Sequence, residues 1–430
     1  MNRRQFLGAS AAAAAVGALP SFAQPEQPEP SLPPSINALP SMREQVKPIT
    51  SDERRARIEK AKELMRAEKT DGLILTPGTS LLYFTGIRWS GGERLFACVV
   101  PAKGEAFFIC PAFEEDRARE QIARGPFGGG TADVRIWQED ESPYALLARG
   151  LKDRGIAAGS IGLDENTKFV WSEHIALAAP HARIVSGIPI TAGCRSIKSA
   201  HEIELMQIAN TATLKVYEAV YHALKPGMTQ LQASGLIDLA YRRVGFRGGA
   251  SVQTGEYTAL PHGSATPQII GEGTIIMVDD GCTVDGYQSD ITRTFVLGKA
   301  SDKARRVFDI VHRAQSAALA AAKPGAPLAS IDAAARTVIA DAGYGPGFKY
   351  FTHRVGHGIG MDGHEWPYLV KNDMFGWTTS LRARPAMTFS DEPGIYIRGE
   401  FGVRLEDDMV ITADGARLFT PQSESLEHPF

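Results

Sequence analysis

From residue 51 to residue 193, segments with helical spacing of apolar residues alternate with short apolar runs. Helical spacing covers 57–65, 117–123, 144–151 and 170–177. Asp52 and Glu53 suit the start of the first helix, although Ser51 with Arg54 lacks a full capping box. Apolar runs predict strands at 72–75, 95–100, 106–110, 134–137, 161–163 and 183–185. This alternation predicts a layered α/β domain over 51–193.

After residue 194, long amphipathic helices are separated by two strand-rich stretches. Helical spacing covers 203–220, 232–244, 305–321 and 328–342. The β-branched runs 275–278 and 291–297 enclose turn formers, and another turn-rich segment covers 398–402. We therefore expect two hairpins with scaffold helices packed outside their sheet, in an α+β domain over 194–430.

Asp279 and Asp290 flank the first predicted hairpin. We place its centre between Val284 and Asp285, so the two aspartates lie about equally far from the turn and are predicted to face each other. Two carboxylates in a mostly apolar setting repel, and they need a cation or a proton between them. A polar hairpin with ordinary loop aspartates is the alternative interpretation of this stretch alone.

A second carboxylate pair, Glu392 and Glu406, has its midpoint at Gly399 in the turn-rich segment. A second hairpin should therefore bring these two side chains together. Four carboxylates with one imidazole would balance the charge of two divalent ions. Mostly oxygen ligands favour Mn(II), with Fe(II), Co(II) or Zn(II) as alternatives.

Three of the ten histidines cluster between the two hairpins, in HRVGHGIGMDGHEW. His353 and His357 are four residues apart, a spacing that would suit a zinc pair on one helix. However, Gly356, Gly358 and Gly360 argue against a stable helix here. Glycines also let the backbone come close to a metal, so we expect a non-helical segment beside the carboxylates.

The segments VDDG, GYQSDITRT, HRVGHGIGMDGHEWP, DEPGIY and GVRLEDD, in this order, resemble the Xaa-Pro peptidases of the pita-bread fold. These are the prolidases and aminopeptidases P, relatives of methionine aminopeptidase and creatinase. The resemblance is close over 195–412 and looser over 51–193, where Ser80 stands at a family asparagine. It implies an α/β N-terminal creatinase-like domain followed by an α+β pita-bread (creatinase/aminopeptidase) catalytic domain.

The resemblance also implies a ligand set. Asp290 and Glu406 would bridge two divalent ions, Asp279 would bind one of them, and His357 with Glu392 would bind the other. Glu392 would in addition act as the general base. The implied reaction is hydrolysis of the Xaa-Pro bond at the N-terminus of a peptide by metal-activated hydroxide.

Further positions match residues around the substrate of this family. By resemblance, His364 binds the substrate carbonyl and the developing oxyanion, and His262 and His353 contact the substrate. We also assign Tyr396 and Arg404 to substrate binding. Tyr396 should form a hydrogen bond in the pocket, and Arg404 should in addition orient Glu406 through a charge-assisted hydrogen bond.

Three nearby aspartates are not expected to touch metal. We interpret Asp362, between two of the histidines, as a loop residue. Asp407 should face away from Glu406 by strand alternation. Asp408 is a tempting extra ligand that we also leave out of the set.

Other activities on the same fold were weighed against peptide cleavage. The alternative is a hydrolase or lyase acting on a non-peptide small molecule, although creatinases lack the metal ligands that are all present here. A metal-free binding module is disfavoured for the same reason. The long N-terminal domain argues against a methionine aminopeptidase.

The N-terminus predicts export. Residues 2–7 form a twin-arginine pattern, 8–19 are alanine-rich, and Ser21-Phe22-Ala23 fits signal cleavage. The apolar part is too short for a membrane span, and no cysteine follows the cleavage point, so we expect no membrane anchor. Residues 1–23 would be the signal, and the proline-rich 24–50 a linker, either an extended tether or an arm. The protein would be periplasmic or secreted.

Composition and cysteines limit the possible partners. A net charge of −3 on 430 residues gives no nucleic-acid footprint. Cys98 and Cys110 lie in neighbouring predicted strands and either pair after export or stay as buried thiols. The family resemblance implies a homodimer or homotetramer, in which Arg88 and Trp89 reach a neighbour's active site; ordinary local packing of Trp89 is the alternative.

Overall fold

The computed structural model describes residues 32–90, 92–128, 131–372 and 380–430. The predicted signal peptide, 1–23, lies outside the described residues. No helix in these ranges is long and apolar enough to cross a membrane.

The N-terminal domain is a mixed β-sheet with helices on both faces. Its strands are β1 (Gly72–Leu75), β2 (Ala97–Pro101), β3 (Phe107–Pro111), β4 (Asp133–Trp137), β5 (Ser160–Leu163) and β6 (Arg183–Ser186), and among the described residues the sheet order is β4-β3-β2-β1-β5-β6. Strand β2 is antiparallel to both its neighbours, and the other pairs are parallel. Leu73 and Leu75 pack in one apolar cluster and Ile74 in another, because alternate side chains point to opposite faces.

The helices of this domain are α2 (Ser51–Ala67), α3 (Thr79–Thr85), α4 (Glu115–Ala123), α5 (Pro143–Asp153), α6 (Phe169–Ala178) and α7 (Ile188–Arg195), preceded by the short α1 (Pro34–Asn37). Helix α2 does begin with a capping box, contrary to our expectation, because its N-cap is Thr50 and its partner is Glu53. Helices α3 and α7 were not predicted; both are short, and each has a glycine at its N-cap, so neither has a side chain that could cap it.

Cys98 and Cys110 do not form a disulfide; both are free and buried. Cys98 lies opposite Phe108 in the ladder between β2 and β3, so the two cysteines are not cross-strand partners. Of the two interpretations above, buried free thiols are confirmed.

The C-terminal domain packs helices against several small sheets. Its helices are α8 (Ala200–Tyr221), α9 (Gln230–Val244), α10 (Asp302–Ala321) and α11 (Leu328–Ile339). Its strands are β7 (Arg247–Gly248), β8 (Ser251–Thr254), β9 (Ile275–Asp280), β10 (Cys282–Val284), β11 (Tyr287–Gln288), β12 (Ile291–Val296), β13 (Gly356–Gly358), β14 (Glu365–Leu369), β15 (Thr388–Asp391), β16 (Gly394–Ile397), β17 (Phe401–Arg404), β18 (Asp407–Ile411) and β19 (Ala416–Leu418).

Two apolar cores hold this domain together. One joins α8 and α9 to strands β9 and β12, and the other joins α10 and α11 to strands β15, β17 and β18. Among the described residues, the main sheets run β12-β9-β8 and β14-β13-β15-β18-β19. Hairpins β9–β12 and β15–β18 are therefore each backed by a helix pair, which is the predicted arrangement.

The centre of the first hairpin was predicted one residue too early. Strand β9 pairs with β12 so that Asp279 lies opposite Thr292, and the turn residues are Asp285 and Gly286 with φ of 46° and 94°. A turn with two positive φ angles favours Asp-Gly over a β-branched residue such as Val284. Asp279 is consequently diagonal to Asp290 rather than directly opposite it.

The second hairpin has the predicted register. Ile397 pairs with Phe401 around Gly399, which has a φ of 79°, and Asp391 pairs with Asp407 in the same register. Glu392 and Glu406 lie between these two ladders at equivalent positions. The predicted juxtaposition of the two glutamates is confirmed.

The described part of the proline-rich segment, 32–50, is an arm packed on its own chain. Ile36, Leu39 and Met42 are buried against α8 and α9. The Ile49 amide donates a hydrogen bond to Asp285 Oδ2 at 2.9 Å, which fixes the arm to the turn of the first hairpin. Of the two alternatives, residues 32–50 therefore form a packed arm and not an extended tether.

A buried polar network joins the two domains. Arg57 of α2 donates to Glu202 Oε1 at 3.1 Å and to the Tyr287 hydroxyl at 2.8 Å, and Tyr287 donates to the same carboxylate. Because all three side chains are buried, the N-terminal domain is held firmly against the C-terminal domain.

Candidate metal centre

The five predicted metal ligands converge in space. Ligand atoms of His357, Glu392 and Glu406 lie within 4.8 Å of one another, and so do those of Asp279, Asp290 and Glu406. His357 Nε2 lies 3.3 Å from Glu392 Oε1 and 3.9 Å from Asp290 Oδ2. Two ligand groups that share Glu406 are the arrangement expected for two neighbouring ions.

The strand ends explain this convergence. Asp279 is in β9, His357 is in β13, and the other three ligands each lie one residue outside a strand. The glycines around His357 are sterically required, because a Cβ at Gly356 would lie 2.1 Å from the Ser390 carbonyl and one at Gly358 would lie 2.4 Å from the Glu365 carbonyl. His357 lies in strand β13, so the prediction of a non-helical segment here is confirmed.

The carboxylates repel each other strongly. Burial, together with neighbouring carboxylates, raises the pKa of Asp290 and of Glu406 well above the ordinary range. Burial also raises the pKa of Glu392 to about 7, with Asp279 adding to the shift and Arg404 opposing it. All of these groups can be ionised together only when cations lie between them, so the donor set fits divalent metal.

His357 is prepared to act as a neutral ligand. Burial, with nearby His364, lowers the pKa of His357 well below the ordinary range. Its Nδ1 lies 3.1 Å from the Gly358 carbonyl oxygen, which assigns the proton to Nδ1. Nε2 is then left as the lone-pair donor towards the carboxylates.

Arg404 orients Asp279, and not Glu406 as predicted. Its guanidinium contacts Asp279 Oδ2, whereas Nε lies 4.0 Å from Glu406 Oε2. Nε instead donates to Thr292 Oγ1 at 2.9 Å, and this hydroxyl lies 2.6 Å from both Asp279 and Glu406. Thr292 was missed, although strand alternation places it on the same face as Asp290.

Most Arg404 donors are engaged by the protein, since Nη1 also donates to the Tyr396 hydroxyl at 3.0 Å and to the Pro261 carbonyl at 3.1 Å. Arg404 is therefore a positioning residue, and its predicted contact with the substrate is corrected. The Tyr396 hydroxyl lies 2.7 Å from His353 Nε2, as expected for a hydrogen bond in the pocket.

A cavity of about 180 Å³ opens onto the ligands. His262, His353 and His364 line it, and the His364 ring stacks on His357 with centroids 3.7 Å apart. The three predicted substrate-contacting histidines thus share one cavity with the metal ligands.

Arg354 also lines this cavity and was missed by the sequence analysis. Its guanidinium lies 4.1 Å above the Tyr368 ring. Among the described residues, no carboxylate lies within ion-pair distance of it. A signal was present, since Arg354 directly follows His353.

The three neighbouring aspartates have other partners. Asp362 accepts hydrogen bonds from Thr79 and Arg195, and Asp407 pairs with Arg293 at 2.7 Å on the far side of its strand. Asp408 accepts a hydrogen bond from the Asp290 amide at 3.0 Å. Asp407 is thus buried against Arg293, in agreement with the prediction that it faces away from Glu406.

Trp89 packs within its own domain. Its ring stacks on Phe96 at 4.0 Å, and Arg117 lies 4.5 Å above the Trp89 ring. These contacts fit the local-packing interpretation, while a role of Arg88 and Trp89 towards a neighbouring subunit stays a prediction.

Glu365, next to His364, makes stability sensitive to acid. Burial raises its pKa, but Lys198 and Arg195 outweigh burial and lower the pKa from 4.5 to about 2. Because the folded-state pKa is depressed, this stabilisation is complete above pH 4.5 and disappears as the pH falls towards 2. We expect the group to contribute about 3 kcal/mol to the free energy of unfolding at neutral pH.

Urea unfolding of metal-free Glu365→Gln and wild-type protein across this pH range measures the effect. The difference in free energy of unfolding should shrink on acidification, while Glu204→Gln, an exposed acid in α8, should match wild type throughout. A difference that stays constant down to the lowest pH would contradict the assignment.

Comparisons with known proteins agree with this architecture. Residues 204–413 match the model of metallopeptidase family M24, 57–197 match the creatinase/prolidase N-terminal domain, and 1–20 match a twin-arginine translocation signal. An Xaa-Pro dipeptidase from Lactobacillus helveticus is 30% identical over 378 residues, covering 86% of this chain and 98% of that protein.

Solved structures show the same two-domain fold. Dipeptidase PepE from Mycobacterium ulcerans superposes with a TM-score of 0.81 at 32% identity, covering 89% of this chain and 99% of that one. An Xaa-Pro dipeptidase from Bacillus anthracis gives a TM-score of 0.72 at 28% identity, with 86% and 98% covered.

The fold and the carboxylate–histidine cluster define a metal-dependent peptidase with a creatinase-like N-terminal domain. The chain belongs to metallopeptidase family M24. The predicted family resemblance, the fold class and the export signal are confirmed.

Proposed function

We propose that this protein is an Xaa-Pro dipeptidase that works with two divalent ions, most consistently Mn(II), outside the cytoplasm in the periplasm or as a secreted protein. The observation that carries the proposal is the shared cavity, in which the five candidate metal ligands lie beside Arg354, a guanidinium with no carboxylate in ion-pair distance among the described residues. The names of the L. helveticus and B. anthracis relatives support the substrate class. Co(II), Fe(II) and Zn(II) remain alternative metals, and a homodimer or homotetramer is the expected assembly.

Asp279, Asp290, His357, Glu392 and Glu406 would hold the ions. When bound, two such ions supply a water of lowered pKa and polarise the scissile carbonyl. Glu392, beside His357 in the cavity, takes the proton of the attacking water and passes it to the leaving proline nitrogen.

The remaining cavity residues position and stabilise the substrate. His364 donates a hydrogen bond to the oxyanion of the tetrahedral intermediate. His353 is held by Tyr396 and lines the cavity with His262, which supports our assignment of both imidazoles to substrate contact. Arg354 binds the proline carboxylate, which is the charged group that every dipeptide presents close to its scissile bond.

Replacement of Arg354 should remove the preference for substrates with a free C-terminal carboxylate. We expect Arg354→Met to lower kcat/KM for an Xaa-Pro dipeptide by about ten- to hundredfold, mainly through KM, because a charge-assisted hydrogen bond is lost. Arg354→Lys keeps the charge without the fork geometry and should retain part of the activity.

The control substrate is the same Xaa-Pro dipeptide with an amidated C-terminus, which lacks the free carboxylate. Wild type should cleave the amide about as poorly as Arg354→Met cleaves the acid, and the variant should not distinguish the two. Equal losses on the acid and the amide would show that Arg354 acts on something other than the carboxylate. Efficient cleavage of longer peptides by wild type would instead indicate an aminopeptidase P.

A further inference from the structure

A second cavity, of about 310 Å³, adjoins the metal cavity at His364. The catalytic domain contributes Trp366 and Tyr368 to its walls, and the N-terminal domain contributes Ile188, Glu165 and Asn166. None of the five proposed metal ligands lines it. The two cavities meet at the side chain that is assigned to the scissile carbonyl, so this one can receive a substituent of the substrate.

The acidic side chains that line this second cavity differ in their ion-pair partners. Asp362 and Glu365 also line it, but both are ion-paired with Arg195. Glu165 accepts a hydrogen bond from Thr191 Oγ1 at 3.2 Å, and among the described residues no basic side chain lies within ion-pair distance of it. Burial, with adjacent Asp164, raises the pKa of Glu165, although Arg195 and the hydrogen bond from Thr191 oppose the shift.

Asp164, which precedes Glu165 in the chain, adds a second carboxylate with an incomplete set of hydrogen bonds. It is only 6% exposed; one of its oxygens accepts from the Asn166 amide at 2.9 Å, and Oδ2 has no hydrogen-bond partner. Asp164 and Glu165 are therefore adjacent carboxylates, and among the described residues neither has a basic side chain within ion-pair distance. A cation supplied by the substrate would offset their negative charge.

The proposed reaction identifies which part of a substrate varies. In an Xaa-Pro dipeptide the proline ring is constant and Arg354 takes its carboxylate, so the variable part is the side chain before proline. Trp366, Tyr368 and Ile188 offer apolar contacts to an aliphatic stem, and Glu165 offers a carboxylate to its end. A long basic side chain has this combination of an apolar stem and a charged tip.

We propose that the second cavity receives the side chain of the residue before proline and that Glu165 makes lysine or arginine the preferred residue there. The inference rests on the proposed dipeptidase function and adds the choice of substrate to it. Glu165 is a specificity-determining residue that belongs to the N-terminal domain of the same chain.

The test compares lysyl-proline with norleucyl-proline, which has a similar length and no charge. Metal-loaded wild type should favour the lysyl substrate in kcat/KM by about three- to tenfold, because a partly exposed ion pair is screened by water. In Glu165→Gln this ratio should fall to near one. In Glu165→Lys the preference should reverse, with glutamyl-proline cleaved better than lysyl-proline. Glu173→Gln, an exposed acid in α6 of the same domain, should keep the wild-type ratio.

The outcomes separate the two proposals. A ratio that is unchanged in both Glu165 variants, with norleucyl-proline still cleaved, would overturn the pocket assignment and leave the dipeptidase intact. Equal loss on both substrates would show that Glu165 only supports the structure, which also overturns the assignment. No cleavage of any Xaa-Pro dipeptide by the metal-loaded wild type would overturn the proposed function and this inference with it.

Discussion

Asp290→Asn and Glu406→Gln should each abolish turnover and weaken metal retention. Each change removes one negative charge from a cluster whose ligand atoms lie within 4.8 Å of one another, and Glu406 belongs to both ligand groups. We expect kcat/KM to fall at least ~10³-fold, because several kcal/mol of transition-state stabilisation are lost and each ~1.4 kcal/mol is a factor of ten. Elemental analysis after gel filtration and peptidase assays measure the two effects together.

A matched control for this pair is Glu218→Gln, an exposed carboxylate in α8 without an assigned role. It should bind metal and turn over like wild type. Full activity with normal metal content in Asp290→Asn or Glu406→Gln would contradict the ligand assignment.

Asp290→Asn and Glu406→Gln should also unfold at higher urea concentration than wild type when metal is removed, since each removes one of the carboxylates that repel one another.

His364→Ala should lower kcat by about 10²- to 10³-fold while the bound metal stays unchanged, because one donor to the oxyanion is lost. His364 lies against His357, with ring centroids 3.7 Å apart, but the two groups of proposed ligands are complete without it. Its KM for a dipeptide should change little, since the interaction forms mainly in the transition state.

His181→Ala, an exposed histidine of the N-terminal domain, serves as the control and should behave like wild type. The atoms of Asp290, His357 and His364 also form a possible three-ligand group. Loss of metal from His364→Ala would therefore mean that His364 is a ligand and that its assignment to the oxyanion is wrong.

The register of the second hairpin could be predicted from sequence because Gly399 marks its centre. The positive φ of this glycine favours a turn there, and Glu392 and Glu406 are equidistant from it. The first hairpin was displaced by one residue because several turn formers compete between Asp279 and Asp290. Only the backbone showed that Asp285 and Gly286 take the two positive φ angles.

Side-chain partners across strands were harder to predict. Arg404 is two residues from Glu406, so the sequence suggested that pair, but the guanidinium reaches Asp279 on another strand. Thr292 was missed because a threonine in a strand gives no signal until its contacts with Asp279 and Glu406 are seen. Arg354 directly follows His353, but only the fold shows that its side chain lines the cavity. The packing of the 32–50 arm depends on Ile36 and Met42 meeting helices far away in the sequence.

The central claim is a prolyl dipeptidase with a dinuclear centre, and the most direct test is hydrolysis by the mature protein, from Gln24 on, reconstituted with Mn(II). One Xaa-Pro dipeptide, one Xaa-Pro-Xaa tripeptide and one proline-free dipeptide are compared at equal concentration, with bound metal measured in the same sample. The account predicts cleavage of the Xaa-Pro dipeptide alone, with two ions bound per chain. No cleavage of any of the three by protein that holds both ions would contradict it and would indicate a different substrate at the same site.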